Sequence, residues 1–143
     1  MNIQELQTVV TNKLPIKIFV INNEGYHSIR QTQTNLFNSN FCGIGPQSKD
    51  LEFPDMSKLA HAYGFPYFSI KNNSETSKLD EILSQKGYLV CEVFVSIDQI
   101  FEPKSATKKL PDGRLFSPPL EDLYPFLDRD EFRKNMYIDS MDE

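Results

Sequence analysis

Residues 17–33 read K-I-F-V-I-N-N-E-G-Y-H-S-I-R-Q-T-Q, and this stretch decides the fold because an apolar run ends abruptly at two asparagines. The run at residues 17–21 is rich in Ile, Val and Phe, which is typical of a buried strand. The next four residues, N-N-E-G, bring amide and carboxylate oxygens together with a permissive backbone. Open α/β sheets bind their ligands at the carboxyl ends of their strands. The stretch therefore predicts a binding site at this turn.

Helices and strands alternate in the predicted secondary structure on either side of this stretch. Three helical segments carry apolar residues at helical spacing. These are Ile3, Leu6, Val9 and Val10 in the first, Met56, Leu59, Ala60 and Tyr63 in the second, and Leu79, Ile82 and Leu83 in the third. A further helix is predicted from about His27, and further strands at residues 67–71 and 88–95. This alternation predicts a three-layer α/β/α fold with a parallel sheet. Since only about three strands are present, apolar sheet edges should be exposed.

Composition excludes several classes of protein. A chain of 143 residues can form one domain with a real core, and its net charge of -5 carries no basic stripe, so nucleic acid is not an expected partner. No apolar run has the length needed to cross a bilayer, and no leader peptide is evident, so we expect no membrane association and a cytoplasmic location. Cys42 and Cys91 are too far apart in sequence to indicate a zinc site or a disulfide framework.

Three features of the later segments are informative. Glu92 is the charged residue of the last predicted strand, and we expect it at a sheet edge or paired, with Cys91 beside it as a small buried hydrophobe. A second Asn-Asn pair, Asn72 and Asn73, follows the strand at residues 67–71. Ser77 and Asp80 have the spacing of a capping box.

Several motifs resemble one enzyme family. An apolar strand followed by N-N-x-G-Y resembles the second half of the cofactor motif of thiamine diphosphate-dependent enzymes, whose first half is an upstream G-D-G. Four more segments resemble acetolactate synthase-like members in the same order. They are M-N-I-Q-E-L at 1–6, F-P-D-M-S-K-L-A-H-A-Y-G at 53–64, L-V-C-E-V-F-V at 89–95 and P-L-E-D-L-Y-P-F-L-D-R-D-E-F at 119–132. The resemblance covers nearly the whole chain.

The resemblance implies a role for three residues of the Asn-Asn turn. Asn23 would ligate Mg²⁺ through its side-chain oxygen and Gly25 through its main-chain oxygen, so that the ion clamps the diphosphate of thiamine diphosphate. Hard Mg²⁺ suits such oxygen ligands. Tyr26 would pack near the cofactor, although a core or lid aromatic is an equal alternative, and N-N-E-G by itself is also compatible with a simple strand-terminating turn. His27 and Arg30 are possible acid and carboxylate-binding groups, or merely satisfied structural residues.

The departure from the family pattern is that no G-D-G precedes Asn22 in this sequence. The resemblance therefore implies the C-terminal part of an enzyme, with residues 1–97 as a partial thiamine diphosphate-binding domain and residues 98–143 as an extended C-terminal arm. The arm should turn at P-D-G and end in a short helix. We expect the isolated chain to be inactive, and no catalytic residue can be named. Its partners would be the remainder of the enzyme, in a homo-oligomer.

The implied parent reaction is decarboxylation of a pyruvate-like 2-oxo acid and joining of the product to a second one, placing the parent among transferases or lyases. The sequence does not choose the substrate, and another thiamine diphosphate decarboxylase or lyase would share these motifs. A non-catalytic α/β module that regulates or scaffolds a partner is the alternative of another class. A flavodoxin-like nucleotide binder is disfavoured because no glycine-rich turn follows a strand.

Overall fold

The structure, a computed structural model, describes residues 2–138. The chain divides into two compact units, Met1–Gln99 and Ile100–Glu143. The first unit contains seven regular elements. They are α1 (Glu5–Thr11), β1 (Lys17–Asn22), α2 (His27–Leu36), α3 (Met56–Ala62), β2 (Tyr67–Ile70), α4 (Lys78–Ser84) and β3 (Leu89–Phe94). Short 3-10 turns occupy Pro46–Ser48 and Asn73–Glu75.

The three strands form one parallel sheet in the order β1-β3-β2. Lys17 is in register with Leu89 across the first pair, and Tyr67 with Val90 across the second. The strand that is last in sequence therefore lies in the middle. The predicted α/β fold with a parallel sheet and flanking helices is confirmed.

Each face of the sheet packs against its own helices, because successive side chains of β3 point to opposite faces. On one face, Val90 packs in a core with Ala60 of α3, with Phe65 of the loop that follows α3, and with side chains of α1. On the other face, Leu89 and Cys91 pack against Ile82 of α4. Cys91 is fully buried, as predicted. The predicted burial of Leu83 is wrong, since this residue of α4 is 54% exposed.

The helices α3 and α4 differ in the capping of their N-termini. The Asp55 side chain accepts a 2.9 Å hydrogen bond from the Lys58 N–H and so caps α3, as the P-D-M-S-K sequence favours. The predicted capping box at Ser77 is wrong. Ser77 precedes α4 with helical backbone angles, and its side chain makes no capping hydrogen bond. The hydroxyl can reach the N–H groups of the first turn only from an extended backbone.

Strand β1 has an open edge in the described part of the chain, where its sheet neighbour is β3 alone. Phe19 and Ile21 of this strand are 39% and 54% exposed. Apolar side chains are therefore exposed along β1, as the small number of strands led us to expect.

The second unit begins with a short antiparallel hairpin that the sequence did not predict as strands, β4 (Lys108–Lys109) and β5 (Leu115–Phe116). The predicted turn at P-D-G lies between them, and the Leu110 N–H donates to the Arg114 carbonyl across it. The unit ends in α5 (Arg129–Asn135), which the Asp128 side chain caps by accepting from the N–H groups of Asp130 and Glu131. This is the predicted short helix.

Candidate functional site

The turn that follows β1 has a tightly packed backbone. The Tyr26 N–H donates a 2.8 Å hydrogen bond to the Ile44 carbonyl, which ties the turn to the loop after α2. A Cβ atom built on Gly25 would lie 2.1 Å from the Ile44 oxygen and 2.7 Å from an Arg30 side-chain nitrogen. Only glycine fits at position 25, because both neighbours are held in place.

The two predicted ligand residues lie on one wall of a cavity at the carboxyl end of β1. The cavity has a volume of about 250 Å³, and Asn22, Asn23, Gly25 and Glu92 form its polar wall. Apolar side chains line the rest, among them Val20, Met56 and Leu59. A mostly apolar pocket with a few converging polar groups is the usual form of a small-molecule site.

Oxygen atoms for a cation are available in this wall. The side-chain oxygen of Asn23 accepts the Gly25 N–H at 3.3 Å, a long bond that leaves acceptor capacity on this oxygen. The Gly25 main-chain carbonyl is the second candidate oxygen, since Gly25 lines the same cavity. These two atoms are suitable for a hard cation such as Mg²⁺. No cluster of three or more His, Cys, Asp or Glu side chains that could hold a metal occurs in the described residues, so the turn supplies only part of a coordination shell.

Glu92 forms the carboxylate part of this wall, and its position corrects the prediction of a sheet edge. It lies in the central strand β3 and is 6% exposed. One carboxylate oxygen accepts from the Asn22 side-chain amide at 2.6 Å, and the other accepts from the Tyr67 hydroxyl at 2.5 Å. Glu92 is paired as predicted, but with neutral donors.

Tyr67 keeps its proton over an unusually wide pH range. Burial, together with the hydrogen bond to the Glu92 carboxylate and its negative charge, raises the pKa of Tyr67 to about 12. The phenol therefore remains a donor to Glu92 at any physiological pH. Sequence reasoning missed this partnership, although a lone carboxylate in an apolar strand was a signal that a buried donor must exist.

Arg30 supports the turn from the side of α2. Its guanidinium donates to the carbonyls of Asn23 at 3.3 Å and Glu24 at 3.1 Å, and to the Ile97 carbonyl beyond β3 at 3.3 Å. Arg30 is 6% exposed and does not line the cavity. The possibility that it binds a substrate carboxylate is not supported by this geometry, because its amino groups already hold backbone oxygens.

His27 and Tyr26 lie beside the cavity rather than in its wall. His27 is 7% exposed and, like Tyr26, is not among the residues that line the cavity. The Tyr26 ring is 43% exposed and packs edge-to-face on Phe53, with 5.5 Å between ring centroids. Phe53 does line the cavity, so Tyr26 is one ring removed from it.

The second Asn-Asn pair shows what the dipeptide does in a purely structural setting. The Asn72 side chain accepts a 3.0 Å hydrogen bond from the Ser74 N–H and starts a 3-10 turn. Neither Asn72 nor Asn73 lines the cavity. The two pairs therefore offer a matched comparison within one chain.

Comparisons with known proteins show what this chain is similar to. The family model described as "Thiamine pyrophosphate enzyme, C-terminal TPP binding domain" matches residues 1–93. The acetolactate synthase large subunit of Cyanidium caldarium is 30% identical over 110 residues, which is 76% of this chain and 18% of that protein. The corresponding subunit of Porphyra purpurea is 32% identical over 111 residues, with the same coverage. The chain thus spans less than a fifth of the length of these relatives.

No helix in residues 2–138 is long and apolar enough to traverse a bilayer.

Proposed function

This chain belongs to the family of C-terminal TPP-binding domains of thiamine pyrophosphate enzymes, and from that premise we propose that its Asn-Asn turn forms part of a magnesium-diphosphate site. Asn23 would contribute its side-chain oxygen and Gly25 its main-chain oxygen. Both lie in one cavity wall at the carboxyl end of a parallel strand, where such ligands bind. That Asn23 and Gly25 both line one cavity at this place in the sheet is the observation that carries the proposal.

The roles of the chain's own residues follow from their contacts. Asn23 and Gly25 would bind the cation and orient the diphosphate. Arg30 supports the turn by donating hydrogen bonds to the carbonyls of Asn23 and Glu24. The apolar wall formed by Val20, Met56 and Leu59 would exclude water from the site. Thiamine diphosphate, when bound, supplies the chemistry that cleaves or forms a carbon–carbon bond beside a carbonyl. Tyr26 would support the cavity indirectly, by packing on Phe53, which lines it.

The finer proposal is that the chain is the C-terminal part of an acetolactate synthase-like enzyme that acts on pyruvate-like 2-oxo acids. Its support is the similarity to acetolactate synthase large subunits, of which the chain spans 18%. The remainder of the enzyme would then be its partner, within a homo-oligomer. Residues 1–97 would form the cofactor-binding domain and residues 98–143 the C-terminal arm.

Calorimetry on the full chain tests the proposal. Because the sequence contains no G-D-G carboxylate, we expect thiamine diphosphate with Mg²⁺ to bind more weakly than micromolar and pyruvate not to be consumed. Asn23→Ala should abolish the remaining heat of binding, whereas Asn73→Ala should leave it unchanged. Micromolar affinity would contradict the importance of the missing carboxylate, and equal loss in both variants would contradict the role of Asn23.

The alternative function is a non-catalytic α/β module that binds a protein partner. The exposed apolar side chains of β1, Phe19 and Ile21, favour it, because they offer a surface for another polypeptide. The two functions differ in one result. A module of this kind would give no binding heat with Mg²⁺ and thiamine diphosphate at any concentration, in the wild type as in Asn23→Ala.

A further inference from the structure

A chain of hydrogen bonds crosses all three strands of the sheet and ends in the Asn-Asn turn. It starts at Tyr67 of β2, whose hydroxyl donates to Glu92 in β3. Glu92 in turn accepts from the Asn22 side chain at the end of β1. The Asn22 side-chain oxygen then accepts a 3.0 Å hydrogen bond from the Glu24 N–H. The first two hydrogen bonds join neighbouring strands, and the third joins the end of β1 to the turn. The position of the turn therefore depends on the Glu92 carboxylate in the central strand.

The carboxylate is an expensive group to place there. The Glu92 carboxylate accepts hydrogen bonds from two neutral groups, the Asn22 side-chain amide and the Tyr67 hydroxyl. A buried charge that only neutral donors satisfy costs more than an apolar side chain of the same size would. Packing alone therefore does not explain an acid at this position. Its effect must lie in what it holds.

The register of the sheet shows why Glu92 can hold both partners. Glu92 lies opposite Val20 in β1 and Ser69 in β2. Asn22 lies two residues after Val20, and Tyr67 lies two residues before Ser69, so both side chains point to the same face as Glu92. The carboxylate thus bridges two diagonal neighbours, one on each flanking strand.

We propose that Glu92 is a positioning residue for the cation site: anchored by Tyr67, it fixes Asn22 and thereby holds the oxygens of Asn23 and Gly25 toward the cavity. This role rests on the proposed function of the Asn-Asn turn. Glu92 acts through Asn22, and both of its oxygens are engaged by these donors. Groups that orient ligand residues in this way typically affect metal affinity by roughly 10–100-fold.

Two near-isosteric variants separate positioning from packing and from charge. Glu92→Gln keeps an oxygen that can accept from Asn22, whereas Glu92→Met fills the same space without an acceptor. We expect Glu92→Met to remain folded, as urea unfolding will measure, because methionine fills the same volume while the donors of Asn22 and Tyr67 lose their acceptor. Its affinity for Mg²⁺ with thiamine diphosphate, followed by NMR at the Asn23 side-chain amide, should fall at least about tenfold.

Glu92→Gln should retain affinity within about threefold of the wild type, since the contact with Asn22 survives. Glu75→Gln is the control, because Glu75 accepts from the Lys71 N–H away from the cavity. Unchanged affinity in Glu92→Met would overturn the proposal. Equal losses in the Met and Gln variants would also overturn it, because the charge itself would then be required at the site.

Hydrogen exchange at the Glu24 amide keeps the two proposals distinguishable. If the wild type shows no response to Mg²⁺ and thiamine diphosphate, the proposed function fails, but the positioning of the turn is still measurable. Glu92→Met should then speed exchange of this amide by about tenfold, and Glu92→Gln should not. Should Glu92→Met not fold, Tyr67→Phe removes the donor that anchors the Glu92 carboxylate and should speed exchange of the same amide. Unaltered exchange would overturn the proposal.

Discussion

The Ile44 carbonyl oxygen lies 2.1 Å from the point where a Cβ atom on Gly25 would stand. The same oxygen accepts the Tyr26 N–H, so it cannot retreat without breaking the bond that fastens the turn to the neighbouring loop. The shape of the candidate site is therefore set by close contact between two backbone segments, and the side chains that face the cavity inherit that shape.

Gly25→Ala should consequently destabilise the first unit by roughly 1–3 kcal/mol, because the added methyl group forces the two segments apart. Urea unfolding measures the loss. Gly87→Ala is the matched control, since a Cβ there meets nothing within 4 Å and only its backbone angle (φ +83°) is unfavourable. A larger loss at Gly87 than at Gly25 would show that the contact with Ile44 is not tight.

Arg30→Met should loosen the turn by about 1–3 kcal/mol, because the carbonyls of Asn23 and Glu24 lose their donors in a half-buried setting. Arg30→Lys should rescue little of this, since a single ammonium cannot reproduce the forked contacts of the guanidinium. Hydrogen exchange at the Tyr26 and Gly25 amides reports the local change. Full rescue by lysine would mean that a positive charge, rather than the forked geometry, supports the turn.

Stability at high pH should depend on Tyr67. Its pKa is raised to about 12 in the folded protein from the ordinary tyrosine value of 10.0, so the folded state holds the phenolic proton more tightly than the unfolded state does. The resulting stabilisation is complete below pH 10 and is lost as the pH rises from 10 to 12. Across this interval, the free energy of unfolding should fall more steeply with rising pH in the wild type than in Tyr67→Phe. Parallel curves would contradict the buried contact with Glu92.

In the second unit, Asp122→Asn should destabilise by about 1–3 kcal/mol. The Asp122 carboxylate is 4% exposed and accepts from both terminal nitrogens of Arg129, at 2.8 and 2.9 Å. Exchange of the Lys104 amide, which bonds to the Tyr124 carbonyl, measures the loss. Glu121→Gln, at the exposed neighbouring position, is the control and should have little effect.

The same ion pair gives the second unit a dependence on acid. Hydrogen bonds from Arg129 hold the pKa of Asp122 below the ordinary aspartate value of 3.8. Its stabilisation is therefore present above that value and is lost as the pH falls through the lower folded pKa. Protection of the Lys104 amide should decline in this acid range in the wild type and stay constant in Asp122→Asn. An equal decline in both would assign the effect to other carboxylates.

Local sequence signals were sufficient for the helices and strands of the first unit, but not for the hairpin of β4 and β5 in the second. The apolar run at residues 17–21 and its end at two asparagines identified β1 and the turn, and the spacing from Met56 to Tyr63 identified α3. What failed depended on backbone angles or on distant partners. Serine is a residue type that favours helix N-caps, but Ser77 has helical backbone angles, so its hydroxyl makes no capping hydrogen bond.

The supporting residues of the site were less predictable because their partners are far apart in sequence. Glu92 is central because β3 pairs with both other strands, and no local pattern specifies that order. Arg30 binds carbonyl groups, one of them 67 residues away, and carbonyls carry no signature in the sequence. The prediction of Asn23 and Gly25 as ligands rests on the family resemblance and stays a prediction.

NMR of the isotope-labelled full chain tests the central claim most directly. Titration with Mg²⁺ and thiamine diphosphate should shift the Asn23 side-chain amide and the Gly25 backbone amide together, with the side chains of Asn72 and Asn73 unmoved. Mg²⁺ with thiamine lacking the diphosphate should leave all of them in place. Shifts that spare Asn23 and Gly25, or that persist at Gly25 in Asn23→Ala, would contradict the assignment of this turn to the cation site.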